Sequence, residues 1–177
     1  MHFRRLLASD AAQYYALRAE MFRAHPDAFL TSIDEHLATD SEENARRLGL
    51  DANDHPESQI LGALDNDALI ACVGLSRITR QKQRHLADIW GVYTHPAARG
   101  QGVGKALLQL ALKTLRGFGV ELVQLGVGSH NLAARALYES AGFVKTGVLP
   151  KALRVNGATF DEDHMVCDLA TWKAEAG

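Results

Sequence analysis

A glycine-rich segment in the middle of the chain has the residue types and spacing of a phosphate-binding turn. Residues 99–105 read Arg-Gly-Gln-Gly-Val-Gly-Lys, between a strand-like segment and a long apolar helix-like segment. Glycines at such a junction let backbone N–H groups approach a ligand without interference from Cβ atoms. The N-terminus of the following helix adds unpaired donors and a partial positive charge. The segment therefore indicates a seat for phosphate or pyrophosphate, with a ligand-free strand-to-helix turn as the alternative.

Two common phosphate motifs do not fit this turn. In a Walker A alignment, Arg99 takes the place of the first glycine, and Ala106 takes the place of the Ser or Thr that follows Gly-Lys. A dinucleotide fingerprint needs Gly-x-Gly-x-x-Gly, and its last place falls on Lys105 or Leu107. The pattern that remains is Arg-x-x-Gly-x-Gly.

Two neighbouring segments complete a family resemblance. Residues 87–96 read Ala-Asp-Ile-Trp-Gly-Val-Tyr-Thr-His-Pro, and residues 131–143 contain Asn-x-x-Ala-x-x-Leu-Tyr-x-x-x-Gly-Phe. With the glycine-rich turn, they resemble the signatures of the GCN5-related N-acetyltransferase (GNAT) superfamily. The resemblance is close over residues 86–148 and rests on element order alone over the first 60 residues. It implies an N-acetyltransferase that moves an acetyl group from acetyl-CoA to a primary amine by direct attack in a ternary complex, with no metal.

The resemblance also implies which residues hold acetyl-CoA. The pantetheine arm would pair with the backbone at the end of the central strand, where Gly91 and Val92 are compatible with a β-bulge. The pyrophosphate would lie on the turn, and Asn131 would bond the pantetheine arm, cap its helix, or both. The implied cofactor-binding residues are Val92, Tyr93, Thr94, Arg99, Gly100, Gln101, Gly102, Val103, Gly104, Lys105, Asn131 and Ala134.

Tyr138 and Asp88 are the catalytic residues that the resemblance implies. Tyr138 lies two helical turns after Asn131, so both face the same side of a helix. A neutral phenol can give a proton to a departing thiolate, and a core tyrosine is the alternative reading. Asp88 takes the place of the acid that family members often carry on the central strand, where it would serve as the base or hold a water relay. A salt-bridged or solvent-facing carboxylate is its alternative.

The acid's other common place in the family lies five residues before the motif asparagine, and here it holds Gly126. Protein N-terminal acetyltransferases of the ribosomal-protein type carry Glu there, so Gly126 counts against that alternative function. Histidine provides further candidate bases. These are His85, His95, His130 and His164.

The acceptor site is the least determined part of the sequence. The resemblance implies that it forms from residues around 25–36 and 150–162, in which residues 25–29 and the acids at 161–163 stand out. Three acids in a row also occur in ordinary solvated turns and strand starts. The acceptor is either a small-molecule or a peptide amine. A non-catalytic acyl-CoA-binding sensor and an unrelated phosphate-binding domain are the other functions considered.

Hydrophobic periodicity predicts a single α/β domain over residues 1–177, with the cofactor core at about 86–148. We expect a mixed, mostly antiparallel sheet with a central parallel βαβ unit and helices on both faces. Strands are predicted at 3–7, 59–64, 69–78, 86–93, 122–127, 143–148 and 161–169. Helices are predicted from Ser9 or Asp10 to before Pro26, from Ser32 through 48, over about 103–116, and from 131 to 141.

Local signals refine these boundaries. Asp10 with Gln13, and Ser32 with Glu35, match capping boxes. Residues 65–67 predict a hairpin turn, and Asn156-Gly157 predicts a type I′ turn. Gly142 lies where a helix-ending glycine is expected, and residues 50–58 form a loop-rich stretch.

Composition limits the function class. Apolar residues make up 47% of the 177 residues, which argues against intrinsic disorder. No apolar run reaches the roughly 20 residues of a membrane span. A net charge of −2 favours neither nucleic acid nor an anionic membrane as a partner. Cys72 and Cys167 are interpreted as buried, inert thiols. The N-terminus lacks a signal peptide, so we expect a cytoplasmic protein. Homodimers are common in the superfamily, although the sequence shows no interface.

Overall fold

One sheet of seven strands organises the chain. The computed structural model describes residues 1–40 and 57–174. In spatial order the strands run β1-β2-β3-β4-β5-β7-β6, and only β4 and β5 pair in parallel. The predicted mixed sheet with a central parallel βαβ unit is therefore confirmed. The strands are β1 (His2–Arg5), β2 (Ser58–Asp65), β3 (Ala68–Arg77), β4 (Leu86–Thr94), β5 (Leu122–Gly128), β6 (Val144–Val155) and β7 (Ala158–Asp168).

Helices cover both faces of the sheet, as predicted. They are α1 (Ala11–Ala24), α2 (Ile33–Leu37), α3 (Val103–Gly117) and α4 (Leu132–Ser140). Tyr14, Leu17 and Met21 of α1 pack on one face together with residues of β2 and β3. The apolar side of α3 packs on the other face, where Tyr138 of α4 joins the same core. The helix predicted from Ser32 through 48 was too long, because α2 ends at Leu37 with Ala38 as its C-cap. The rest of that prediction, over 41–48, and the predicted loop residues 50–56 lie outside the described part of the chain.

The start of α1 differs from the predicted capping box. The Asp10 carboxylate accepts two hydrogen bonds from Arg4, at 2.6 and 2.9 Å, and one from the Leu7 amide at 2.7 Å. Gln13 instead donates to the Asp67 carbonyl and accepts from the Leu69 amide. Tertiary partners therefore take both side chains away from the helix end. Because Leu7 is drawn into this turn, β1 ends earlier than predicted.

The other local signals give the expected geometry. Ser32 Oγ accepts from the Glu35 amide at 3.2 Å, and Glu35 accepts from the Ser32 amide at 2.7 Å, which completes the second capping box. Asn66 and Asp67 both have positive φ in the first hairpin turn. Asn156 and Gly157 do so in the last one, with φ of 49° and 83°.

β6 and β7 are longer than predicted because both extend to the turn at Asn156 and Gly157. β6 is an edge strand with exposed side chains on both faces over most of its length, so it lacks the alternation that reveals a strand. Its pairing with β7 is also irregular at Lys145–Gly147 and Leu149–Leu153.

Cys72 and Cys167 are buried free thiols, in agreement with the sequence analysis. Burial raises the pKa of Cys72 to about 12 and that of Cys167 to about 11. Across the described ranges, no three His, Cys, Asp or Glu side chains are grouped to hold a metal ion. None of the helices described is both long and apolar enough to cross a membrane.

Candidate active site

The two central strands separate halfway along their length. β4 and β5 pair only from Leu86–Leu122 to Asp88–Gln124, whereas β5 continues to pair with β7 as far as Gly128. At the point of separation, Gly91 and Val92 form an extra step opposite β3, and Gly91 has a φ of 58°. This is the predicted bulge, and a bulge bends its strand. The far half of β4 therefore has a backbone edge that faces a gap in the sheet.

A first cavity of about 730 Å³ lies at this gap and reaches the N-terminus of α3. It brings together most of the residues predicted to bind the cofactor, which are Val92, Tyr93, Thr94, Arg99, Gly100, Gly102, Val103, Gly104, Lys105, Asn131 and Ala134. Gln101 does not line it, because its side-chain amide donates to the Ala97 carbonyl at 2.9 Å. Leu137 and His130 line it as well.

The glycine-rich turn has a backbone suited to a phosphate group. Gly100 and Gly102 have φ of 74° and 77°, a conformation that L side chains rarely adopt. Gly102 is the N-cap of α3, and the first intrahelical bond runs from the Ala106 amide to its carbonyl. The amides of the first helical turn therefore lack intrahelical acceptors. Apart from the adjoining residues, no atom lies within 4 Å of a Cβ placed on either glycine, so the space in front of these amides is open to an anionic group such as a pyrophosphate.

Arg99 is held at the rim of the first cavity. Its Nε donates to the Thr94 carbonyl at 3.0 Å, and its Nη2 lies 3.1 Å from His25 Nε2. The guanidinium carbon lies 5.6 Å from the ring centroid of Tyr93, whose hydroxyl donates to Glu20 at 2.6 Å. Burial and the Glu20 carboxylate raise the pKa of Tyr93 to about 12. These contacts fix a positive charge beside the glycine-rich turn.

A second cavity of about 330 Å³ adjoins the first. Six residues line both cavities and mark the place where the two spaces meet. They are Ala28, Phe29, Val92, Asn131, Ala134 and Tyr138. Tyr138 is 7% exposed, and its hydroxyl makes no hydrogen bond within residues 1–40 and 57–174. Burial raises the pKa of Tyr138 well above its usual range. A neutral phenol, a proton donor, therefore lies at the junction.

Asp88 lies away from this junction. Its Oδ1 accepts a hydrogen bond from Gln124 Nε2 at 2.7 Å in the paired half of β4 and β5, and it lines neither cavity. Glu162 of β7 does line the second cavity. A Cβ placed on Gly126 would lie 2.5 Å from the Glu162 carboxylate carbon. A carboxylate of the neighbouring strand therefore occupies the space beside position 126.

Strand alternation separates the three acids that the sequence singled out. Asp161 accepts a hydrogen bond from the Lys151 amide at 2.8 Å, and Glu162 faces the second cavity. Asp163 is completely buried on the opposite face. One of the three acids thus reaches the site, and no acidic patch forms.

The histidines differ in their access to the site. His130 lines the first cavity and pairs with Asp27 at 3.0 Å. His164 lies 3.4 Å from Glu162, and His95 pairs with Glu20 at 3.6 Å. His85 lines neither cavity.

The sequence analysis missed several residues of the second cavity, and two of them can contribute polar or aromatic contacts to a ligand. Arg18 of α1 and Trp90 of β4 both line it. Arg18 lies on the same helical face as Tyr14 and Leu17, and an arginine on an apolar face was the signal that could have identified it. The predicted acceptor segment contributes Ala28 and Phe29 to both cavities.

Comparison with known proteins identifies the family. The model of the acetyltransferase (GNAT) family matches residues 14–143. The chain belongs to this family. Its fold is also that of solved GNAT structures. An acetyltransferase of the GNAT family from Streptococcus pneumoniae superposes with a TM-score of 0.82 at 24% identity, over 93% of this chain and 96% of that one.

Two further GNAT relatives are informative. YncA of Salmonella typhimurium, solved with its cofactor acetyl-CoA, superposes with a TM-score of 0.80 at 21% identity, over 100% and 98% of the two chains. The N-alpha-acetyltransferase RimI of Mycobacterium tuberculosis is 36% identical over 103 residues, which is 58% of this GNAT chain and 63% of RimI. The chain thus spans less than two thirds of the length of this curated relative.

Proposed function

We propose that this GNAT protein is an acetyl-CoA-dependent N-acetyltransferase that transfers the acetyl group directly to a primary amine. The observation that carries the proposal is the meeting of two cavities at Val92 and Tyr138. One cavity has a pyrophosphate cradle at its far end, and the other offers space for an acceptor. A covalent acetyl-enzyme is not part of the proposal, because Cys72 and Cys167 line neither cavity.

The residues of the first cavity account for binding and orientation. We assign the pyrophosphate to the turn at 100–104, with Arg99 and Lys105 near its charges, and the pantetheine arm to the open edge of β4 at 92–94. Asn131 caps α4 through the Ala134 amide at 3.1 Å, and it faces the same cavity. Orientation of this kind supplies a large part of the acceleration of acyl transfer.

Tyr138 is proposed as the general acid for the departing thiolate. Its raised pKa keeps the phenol protonated at neutral pH, and its hydroxyl has no competing acceptor among the described residues. Asp88, in contrast, is engaged by Gln124, and its role as a base stays a prediction.

Acetyl-CoA binding is the first test of the proposal. Gly102→Glu places a carboxylate and a Cβ in the pyrophosphate cradle, and we expect the Kd of acetyl-CoA, measured by calorimetry, to rise at least tenfold. Gly119→Glu is the matched control, because Gly119 has the same φ of 77° and open space beyond it at the other end of α3. Equal effects of both variants, or no binding by the parent protein, would contradict the proposal.

Release of free thiol against a panel of amines then tests turnover. Turnover with any amine supports the enzyme, whereas tight binding without turnover would favour the acyl-CoA sensor. The similarity to RimI makes N-alpha acetylation of a peptide the second candidate function, so the panel includes peptides with free N-termini. One domain over residues 1–177, a cytoplasmic location and a homodimer stay predictions.

A further inference from the structure

Two opposite charges line the second cavity, whose other lining residues are apolar apart from Thr31, Asn131 and Tyr138. Arg18 comes from α1 and Glu162 from β7, whereas Phe22, Phe29 and Trp90 give the cavity aromatic walls. No salt bridge joins Arg18 to Glu162 in the described part of the chain. A cavity with a separate cation and anion matches a ligand that carries one charge of each sign.

Arg18 points to the anionic part of such a ligand. Only 9% of the residue is exposed, and its guanidinium carbon lies 5.0 Å from the ring centroid of Phe22 and 5.6 Å from that of Tyr14. Its charge also acts on the buried Cys72 thiol, and within residues 1–40 and 57–174 it has neither a hydrogen-bond acceptor nor a carboxylate partner. A buried cation without an anion is costly, and a guanidinium binds a carboxylate through two parallel hydrogen bonds.

Glu162 points to the cationic part. Its side chain is 21% exposed, and its carboxylate lies over the backbone of Gly126. The neighbouring charge is His164, whose Nε2 lies 3.4 Å away on the more exposed side. The cavity that it faces shares Tyr138 with the first cavity, so an amine held by Glu162 enters the space next to the proposed acid.

We propose that the second cavity is an acceptor site for a small α-amino acid with an apolar side chain. Arg18 binds its carboxylate, Glu162 receives its ammonium group, and the aromatic walls contact its side chain. This inference rests on the proposed acetyl transfer, because it names the substrate class of the same site. A peptide N-terminus fits less well, since its nearest carboxylate lies at least one residue beyond the amine.

Glu162, Tyr138 and water account for every proton that moves during the proposed acetyl transfer. The ammonium group gives one proton to Glu162, and the neutral nitrogen attacks the acetyl carbon of the thioester. The C–N bond forms, the C–S bond breaks, and the sulfur takes the proton of Tyr138. The nitrogen's second proton restores Tyr138 through water, and Glu162 releases its proton to solvent. The products are the N-acetyl amino acid, free thiol and one proton.

Three acceptors of equal side chain test the role of Arg18. They are L-leucine, L-leucinamide and 3-methylbutylamine, with thiol release as the readout. We expect the parent protein to prefer leucine in kcat/KM by about 10–100-fold, the range of a charge-assisted hydrogen bond. Arg18→Met should remove this preference while the kcat/KM for leucinamide stays within threefold, and Arg18→Lys should restore part of it. Arg116→Met is the matched control, because Arg116 lies 5.0 Å over the Trp172 ring, outside the cavity.

Two variants test Glu162. Glu162→Gln keeps the size of the side chain and removes the proton acceptor, so kcat with leucine should fall by about 10²-fold or more. Gly126→Ala places a methyl group where the carboxylate lies and should lower kcat in the same direction. Glu139→Gln, at an exposed surface pair with Arg135, is the control and should retain the parent kcat. For each variant, an unchanged Kd of acetyl-CoA shows that the fold is intact.

These experiments distinguish failure of the proposed acetyltransferase activity from failure of the proposed amino-acid site. Absence of thiol release with every amine would refute the proposed enzyme itself. Turnover that is equal for leucine and leucinamide, or an Arg18→Met effect that is the same for all three acceptors, would overturn the amino-acid site alone. Faster turnover of the peptide Leu-Gly-Gly than of leucine would also overturn it and would favour N-alpha acetylation. A Glu162→Gln variant with parent kcat would remove Glu162 from the site.

Discussion

The ring and the hydroxyl of Tyr138 have different roles, so a single substitution can test the proposed catalysis without changing the packing. The ring packs in the core, with the Phe143 ring centroid 5.9 Å away, and the residue lines both cavities. Tyr138→Phe removes a proton donor and leaves the packing unchanged. We therefore expect kcat for thiol release to fall by about 10²-fold, while the Kd of acetyl-CoA and the Tm stay near the parent values. A kcat within threefold of the parent would show that the sulfur obtains its proton elsewhere.

The site residues that the sequence predicted correctly are those whose role depends on local backbone geometry. Gly102 and Asn131 act through the backbone of their own helix ends, so their spacing within a motif suffices to identify them. Arg18 and Glu162 reach the second cavity only because α1 and β7 pack around the gap between β4 and β5. Such positions depend on contacts between distant segments, which spacing along the chain does not encode.

Among the elements, the last hairpin depends on Asp163. Its carboxylate is fully buried, accepts a hydrogen bond from Ser129, and lies 2.9 Å from Lys145 Nζ and 3.2 Å from Arg135 Nε. One side chain of β7 thereby ties together β6, α4 and the segment after β5. The same strand places Glu162 on the opposite face, so this network also positions the proposed acceptor site.

Asp163→Asn is expected to destabilise the protein by about 3 kcal/mol, because it removes one partner of a buried ion cluster. Urea unfolding at pH 7 measures the change. Asp161→Asn is the control, because Asp161 is exposed and contacts the Lys151 amide. A hydrogen bond from Ser129 and the charges of Lys145 and Arg135 lower the pKa of Asp163. Its contribution is therefore present above the unfolded pKa near 4 and is lost as the pH falls below it.

The variant should accordingly reduce the loss of the free energy of unfolding between pH 5 and pH 2. Equal pH profiles for Asp163→Asn and the parent would show that other carboxylates set acid stability. Asp10, whose pKa is lowered by its hydrogen bonds from Arg4, is the next candidate.

Element boundaries followed the sequence where packing is regular and departed from it where tertiary contacts intervene. The apolar stripe of α3 predicted most of its buried face, since six of its apolar residues are buried in the core, whereas Ala106 is exposed. β6 was predicted too short because an edge strand exposed on both faces leaves no periodic pattern. The capping box predicted at Asp10 was wrong because its carboxylate accepts hydrogen bonds from Arg4 and the Leu7 amide and none from the amides of α1.

At the scale of the whole molecule, one continuous sheet carries both cavities, with α1 from the N-terminal part and β7 from the C-terminal part flanking the same gap. Residues 1–177 are therefore expected to unfold in one cooperative transition, with equal calorimetric and van't Hoff enthalpies. Acetyl-CoA at 100 times its Kd stabilises the native state by about 2.7 kcal/mol, which corresponds to a rise in Tm of roughly 5–11 °C for a chain of this size. Scanning calorimetry with and without the ligand measures this shift. At the same ligand concentration, a Kd at least tenfold higher should reduce the shift of the Gly102→Glu variant to about half or less. Two transitions of which acetyl-CoA moves only one would mean that the cofactor core and the acceptor elements fold as separate units.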